Sequence, residues 1–255
     1  MSLAISTPVV RSSSAGELAG RCWRVVEAQH VISTLKLVDT LAEQALLEQL
    51  LDASKPPVPP DCRHLHYLLS TPFRYGAPYP RGSRFRRPGL TAGVFYASQK
   101  PATAMAELAF HRLLFFAESP QTAWPVNAGE HTAFAARFRT AAGLDLTTAG
   151  LDGPSAQWSH LTDYTPGQQL AETARAVGMA AIRYKSVRDP QGGVNIALLV
   201  CAAFTSRSPL ERHTWRLHLG TTGARAICDD PPLRLEFDRS VFAADPRIDA
   251  LRWDR

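Results

Sequence analysis

A chain of 255 residues that is 45% hydrophobic and 20% charged, with a mean hydropathy of -0.13, can bury a sizeable core, and this composition excludes a disordered or fibrous protein. No run reaches the ~18 consecutive apolar residues that span a bilayer, and the opening MSLAISTPVVRSSSAGE lacks a basic segment followed by an apolar one, so a cytoplasmic protein without membrane contact is expected. The net charge of +5 suits a nucleic acid, a phosphorylated small molecule or an acidic protein, and its sign alone does not choose among them.

Residues 1–21 lack a periodic apolar pattern and read as a flexible arm, leaving residues 22–255 as a single domain with a strand-rich C-terminal part. Trp23 to Gln29 predicts a short strand. From there Leu35, Val38, Leu41, Ala45, Leu46 and Leu50 recur at helical spacing, with Ser33 or Thr34 as N-cap. That helix must stop before the SKPPVPP segment, whose prolines lack amide donors. Its leucine face reads as core or as a partner-facing surface. Residues 64–93 are rich in aromatics, arginine, glycine and proline without a regular period, the pattern of a long functional loop.

Gly93 to Ser98 predicts a buried strand, followed by a helix over about residues 99–117 with Ser98 as N-cap and Pro101 in the first turn. His131 to Phe138 reads as a strand. A capping box from Thr165 to Gln168 opens a helix that Gly178 closes. Strands then follow at Met179 to Tyr184, Val194 to Phe204, Arg212 to Gly220, Ala224 to Cys228 and Leu233 to Phe237, with GTTG as a hairpin turn. The sum is an α+β fold, a twisted sheet with flanking helices. Cys22, Cys62, Cys201 and Cys228 show no CxxC pairing, which argues against a zinc knuckle and predicts four free thiols in a reducing compartment.

Chemistry concentrates in GSRFRRPGLTAGVFYASQKPATAMAELAFHR, which holds Arg84, Tyr96 and Glu107, and in RYKSVRDPQGGVNIALL, which holds Ser186, Arg188 and Asn195. The spacing lets Tyr96 on its strand face Glu107 on the second turn of the next helix. Taken alone, Tyr96 is a core aromatic and Arg84, Arg86 and Arg87 are a solvated basic face. The combination, however, resembles the RES family, whose pattern is a Gly-Gly-Arg-Phe/Trp-Asn segment, a strand Tyr, a Glu on the next helix, and a late Ser followed by Asn. Those positions are Arg84, Tyr96, Glu107, Ser186 and Asn195 here, and the resemblance runs from about Trp23 to Ala197. Ser83 replaces the second glycine and Arg86 the asparagine.

The resemblance implies an ADP-ribosyltransferase-like fold, the toxin half of a bacterial type II toxin–antitoxin system, and NAD+ as the substrate that is consumed, with an Xre-like helix-turn-helix antitoxin as partner. On that reading Glu107 stabilises the cationic ribose left when nicotinamide departs. Arg84 offers a planar fork to the pyrophosphate or ribose phosphate. Tyr96 stacks on nicotinamide, Ser186 and Asn195 fix the nicotinamide end or the loop, and Arg74 is a further substrate-binding candidate. The acceptor is left open: water or phosphate makes the protein an NAD+ glycohydrolase or phosphorylase, whereas a protein side chain makes it a mono-ADP-ribosyltransferase. A nucleic-acid module using RGSRFRR, with Phe85 for stacking, is the reading from another class. It is disfavoured because the basic residues form one cluster, so direct nucleic-acid contact is not expected. Glu107 and His111 sit at i, i+4 without a third ligand, and no metal or cofactor is expected.

Overall fold

The computed structural model describes residues 14–28, 37–74, 82–89, 92–147 and 158–254. Within them the strands β1 (Gly16–Glu27), β2 (Phe95–Ser98), β3 (Gly129–Asp145), β4 (Ala181–Lys185), β5 (Val194–Leu198), β6 (Glu211–Gly220), β7 (Gly223–Cys228) and β8 (Leu233–Asp238) form one sheet in the order β1-β2-β5-β4-β3-β6-β7-β8. Only β3 and β4 run parallel. The helices are α1 (Leu41–Ala53), α2 (Tyr67–Arg74), α3 (Pro101–Glu118), α4 (Thr165–Ala176) and the short α5 (Pro246–Asp249). This mixed sheet with flanking helices is the α+β architecture that the sequence predicts. Among the described residues, no helix is long and apolar enough to cross a membrane.

Strand β1 also pairs along β3, from Gly16 opposite Gly143 to Glu27 opposite His131, and thereby closes β1, β2, β5, β4 and β3 into a ring. Successive side chains on a strand point to opposite faces, so both faces of β3 are buried: Ala133 and Ala135 meet α3 on one side, Phe134, Ala136 and Phe138 meet Phe95 and Phe204 on the other. Helix α3 places Met105, Ala106, Ala109, Phe110 and Leu113 in the first of these cores, all fully buried. Burying a side chain of the size of Phe or Leu stabilises by about 1.5–3 kcal/mol, which fixes α3 on the sheet.

Several boundaries differ from the sequence reading, each for a local reason. Strand β1 begins at Gly16 rather than near Trp23, because its partner β3 runs on to Asp145 and supplies a ladder for what reads as a loose arm. Gln29, Ser33, Thr34, Leu35 and residues 1–13 lie outside the described residues. Helix α1 begins at Leu41, where Thr40 accepts from the Glu43 amide (3.1 Å) and the Glu43 carboxylate accepts from the Thr40 amide (3.0 Å), a reciprocal cap. Helix α2 occupies part of the predicted loop. Ser98 is not a cap but the last residue of β2, and α3 starts at Pro101. Thr165 is not a cap either: its amide donates to Asp163 Oδ1 (2.9 Å). The strand predicted from Val194 to Phe204 stops at Leu198, before a 3-10 turn over Cys201–Ala203. That turn carries the correction to the thiols: Cys62 and Cys201, 139 positions apart, form a disulfide, while Cys22 and Cys228 are free and buried. Burial pushes the Cys22 thiol up to about 12. The GTTG hairpin is as expected, with Gly220 opposite Gly223.

Candidate active site

Strands β2 and β5 pair with Ser98 opposite Asn195, and the chain turns at once into α3, with the Gln99 amide donating to the Val194 carbonyl (2.9 Å). Thr103 Oγ1 donates to Asp189 Oδ2 (2.7 Å) and pins the first turn of α3 to the β4–β5 loop. Gly193 makes this approach feasible, since a Cβ there would lie 2.2 Å from Thr103 Oγ1. The result is one polar cluster. Ser186 Oγ (2.7 Å) and Asn195 Nδ2 (2.6 Å) both donate to Glu107 Oε1. Asn195 Oδ1 accepts from Ser98 Oγ (2.6 Å), and Ser186 Oγ accepts from the amides of Arg188 (3.1 Å) and Asp189 (3.0 Å). Ser186 and Asn195 thus hold the Glu107 carboxylate directly.

The arginine segment is a tight turn, in which the Ser83 amide donates to the Arg86 carbonyl (2.8 Å) and the Arg86 amide to the Ser83 carbonyl (3.1 Å). Gly82 leads into it at φ +65, and a Cβ there would lie 2.4 Å from the Arg86 carbonyl oxygen. The Tyr96 hydroxyl accepts from the Phe85 amide (3.0 Å) and shares a hydrogen bond with Ser83 Oγ (2.9 Å). Ser83, a departure from the RES pattern, is therefore tied to the strand tyrosine. Phe85 is buried edge-on against Tyr184, and Gln168 of α4 donates to the Ser83 and Arg86 carbonyls. Arg84 at the tip donates to the Trp158 carbonyl and lies over the Tyr164 ring at 5.0 Å. Arg87 pairs with Glu172. Arg81 lies outside the described residues.

Arg84, Tyr96, Glu107 and Asn195 line one cavity of about 520 Å³, with Ser186 buried just behind Glu107. Arg74 does not: it donates to the Pro56 carbonyl (2.7 Å) and faces Asp52 (3.6 Å). Its position at the end of α2 removes it from the candidate set. The wall also carries Arg24, His111, Tyr164, Tyr184, Arg188 and Arg247. Nothing in the sequence marks these as a group, because they come from β1, α3, β4, α5 and two loops and meet only in the folded chain.

Burial, and then the neighbouring Glu107 carboxylate, hold the Tyr184 phenol well above its ordinary value. Burial also raises Tyr96, against the hydrogen bonds from Ser83 and Phe85. His111 is open to the cavity yet enclosed by surrounding atoms, and this desolvation lowers its pKa against the pull of Glu107. Desolvation brings the Arg24 guanidinium down to about 10, so it remains a cation at neutral pH. Away from the cavity wall, Asp61 lies beside Cys62 and Cys201, whose sulfurs are committed to each other.

The model of the RES domain matches residues 58–220. The chain belongs to the RES domain family. The matched RES segment contains Arg84, Tyr96, Glu107, Ser186 and Asn195, whereas Arg24 on β1 and Arg247 on α5 lie outside it. Among solved structures, the crystal structure of the M. tuberculosis MbcT–MbcA toxin–antitoxin complex matches at 16% identity and a TM-score of 0.46, covering 78% of this chain and 85% of that chain. No curated protein matches.

Proposed function

We propose that this RES protein is the toxin of a toxin–antitoxin pair and cleaves the bond between nicotinamide and ribose in NAD+, with an Xre-like antitoxin as partner and NAD+ as substrate rather than bound cofactor. The observation that supports it best is the state of Glu107. Two donors anchor Oε1, and Glu107 lines a cavity that also bears Arg84 and Tyr96. A carboxylate held in this way supplies fixed negative charge where the ribose becomes cationic, without reorganising as the charge develops.

On this reading the electron pair of the C1′–N bond leaves with nicotinamide and neutralises its ring. An acceptor oxygen then bonds to C1′ and loses its proton. Tyr184 and Tyr96, held neutral by burial, act as hydrogen-bond donors and ring surfaces rather than as anions. The fork of Arg84 faces the phosphate side. No step requires a metal ion.

Purified protein incubated with NAD+, with and without inorganic phosphate, is expected to release nicotinamide together with ADP-ribose or its phosphate, identified by mass. Intact NAD+ in both mixtures would remove this reading, and consumption only when a second protein is added and becomes labelled would replace it with ADP-ribosyl transfer.

A further inference from the structure

The RES match ends at residue 220, yet the cavity wall continues into α5. Asp245 caps that short helix and is fully buried. It accepts from Arg247 Nε (3.0 Å) and Nη2 (2.8 Å) and lies 3.0 Å from Arg188 Nη2. One carboxylate thus serves two cations, both of which line the cavity. Arg188 is spread over the Phe110 ring at 3.6 Å and donates to the Leu161 carbonyl (2.6 Å). Arg247 also reaches Leu161 (3.3 Å) and the Tyr164 hydroxyl. A guanidinium has five N–H donors, so after Asp245, Leu161 and Tyr164 a donor of Arg247 remains.

An Arg–Asp–Arg group of this kind is a poor device for stability, because desolvating three charges costs about as much as their attraction returns. Its excess positive charge, with Arg84 over the same Tyr164 ring at 5.0 Å, instead describes a receptor for an anion. Guanidinium forks match the geometry of phosphoryl oxygens.

We infer that Arg247, braced by Asp245 and flanked by Arg188, is a binding residue for a phosphoryl oxyanion, supplied to the RES cavity by the C-terminal segment of this chain. The carrier of that oxyanion rests on the NAD+ reading and is either the pyrophosphate of the dinucleotide or free phosphate acting as acceptor. The anion site itself does not depend on turnover.

The test titrates inorganic pyrophosphate and inorganic phosphate into the full chain and into Arg247→Gln and Arg247→Lys, with melting curves to establish folding. Wild type should bind at least one of the anions. Arg247→Gln should weaken it by roughly tenfold or more, and Arg247→Lys by less, since one ammonium cannot serve both Asp245 and the ligand. If Arg247→Gln does not fold, Arg247→Lys carries the comparison. Binding of nicotinamide riboside, which lacks phosphate, should be unchanged in the folded variants, a result that a merely structural role would not give. A raised KM for NAD+ assigns the site to the dinucleotide, and a raised phosphate requirement at unchanged KM for NAD+ assigns it to the acceptor. Failure of wild type to bind either anion, full retention of anion affinity in both variants, or equal loss of anion and riboside binding overturns the inference. Absence of any NAD+ turnover by wild type would sink the proposed reaction and leave the anion titrations to decide this site.

Discussion

Helices α1 and α3 are both rich in leucine and alanine, α3 with Met105 and three phenylalanines besides, and meet opposite fates. Of α1, only Gln44 is buried among the described residues, while Leu41, Leu46, Leu50 and Leu51 are exposed. Of α3, one whole face is packed against the sheet. Their ends reverse the pattern, since α1 has a reciprocal Thr40–Glu43 cap and α3 has no side-chain cap at Lys100. A cap contributes about 1 kcal/mol whatever the helix packs against. Core burial contributes more and also fixes rotation about the helix axis, which a cap does not. Glu107 meets Ser186 and Asn195 because α3 is held by its core.

This contrast can be broken at several points. Phe110→Ala removes a fully buried ring of α3 and should cost about 3–5 kcal/mol in denaturant unfolding; a loss below about 1 kcal/mol would mean that α3 is not anchored as described. Glu107→Gln keeps an acceptor for Ser186 and Asn195, so melting should hardly change. Nicotinamide release should nevertheless fall about a hundred- to a thousandfold, as expected for one electrostatic stabiliser. A stable and fully active Glu107→Gln protein would detach the polar cluster from the chemistry.

A smaller effect is set by pH. Burial lowers His131 on β3 below the ordinary histidine value, so the unfolded chain takes up protons first. Stability should be fully present above the unfolded value of about 6.5 and should fall as pH drops below it toward the folded value. Melting temperatures between pH 8 and 5 check the sign, and a rise on acidification would contradict it. The smallest effect belongs to α1: Leu50→Ala should stay within about 0.5 kcal/mol of wild type, and a loss like that of Phe110→Ala would show that the exposed leucines are packed in solution.

The same contrast explains what could be read from the sequence. Periodicity predicts helices across Leu35 to Leu50 and over about residues 99–117, overlapping the observed 41–53 and 101–118, because 3.6-residue spacing is a local property. It is silent on which apolar face finds a partner, since that depends on strands outside the helix's own segment, such as β1 and β3 for α3. The cluster of Tyr96, Glu107, Ser186 and Asn195 was legible through its resemblance to a family pattern, and Arg84 through its place in the same pattern. Ser98 reads as a cap because a Ser before a helical pattern is locally ambiguous, and its register opposite Asn195 resolves it as the end of β2. Arg24, Asp245 and Arg247 carry no local signal. Cys62 and Cys201 look unpaired for the same reason.

The ring closure has a kinetic consequence. The contact from the Cys22 thiol to the Ala136 carbonyl spans 114 positions, and every pairing of β1 with β3 is comparably distant. Such non-local ladders form late, because loop entropy is lost before they return any energy. The walls of the cavity come from Arg24 on β1 through to Arg247 on α5, so no partly folded intermediate and no proteolytic fragment lacking either end encloses it. Catalytic competence should therefore appear in a single late step of refolding, after most helical signal has returned.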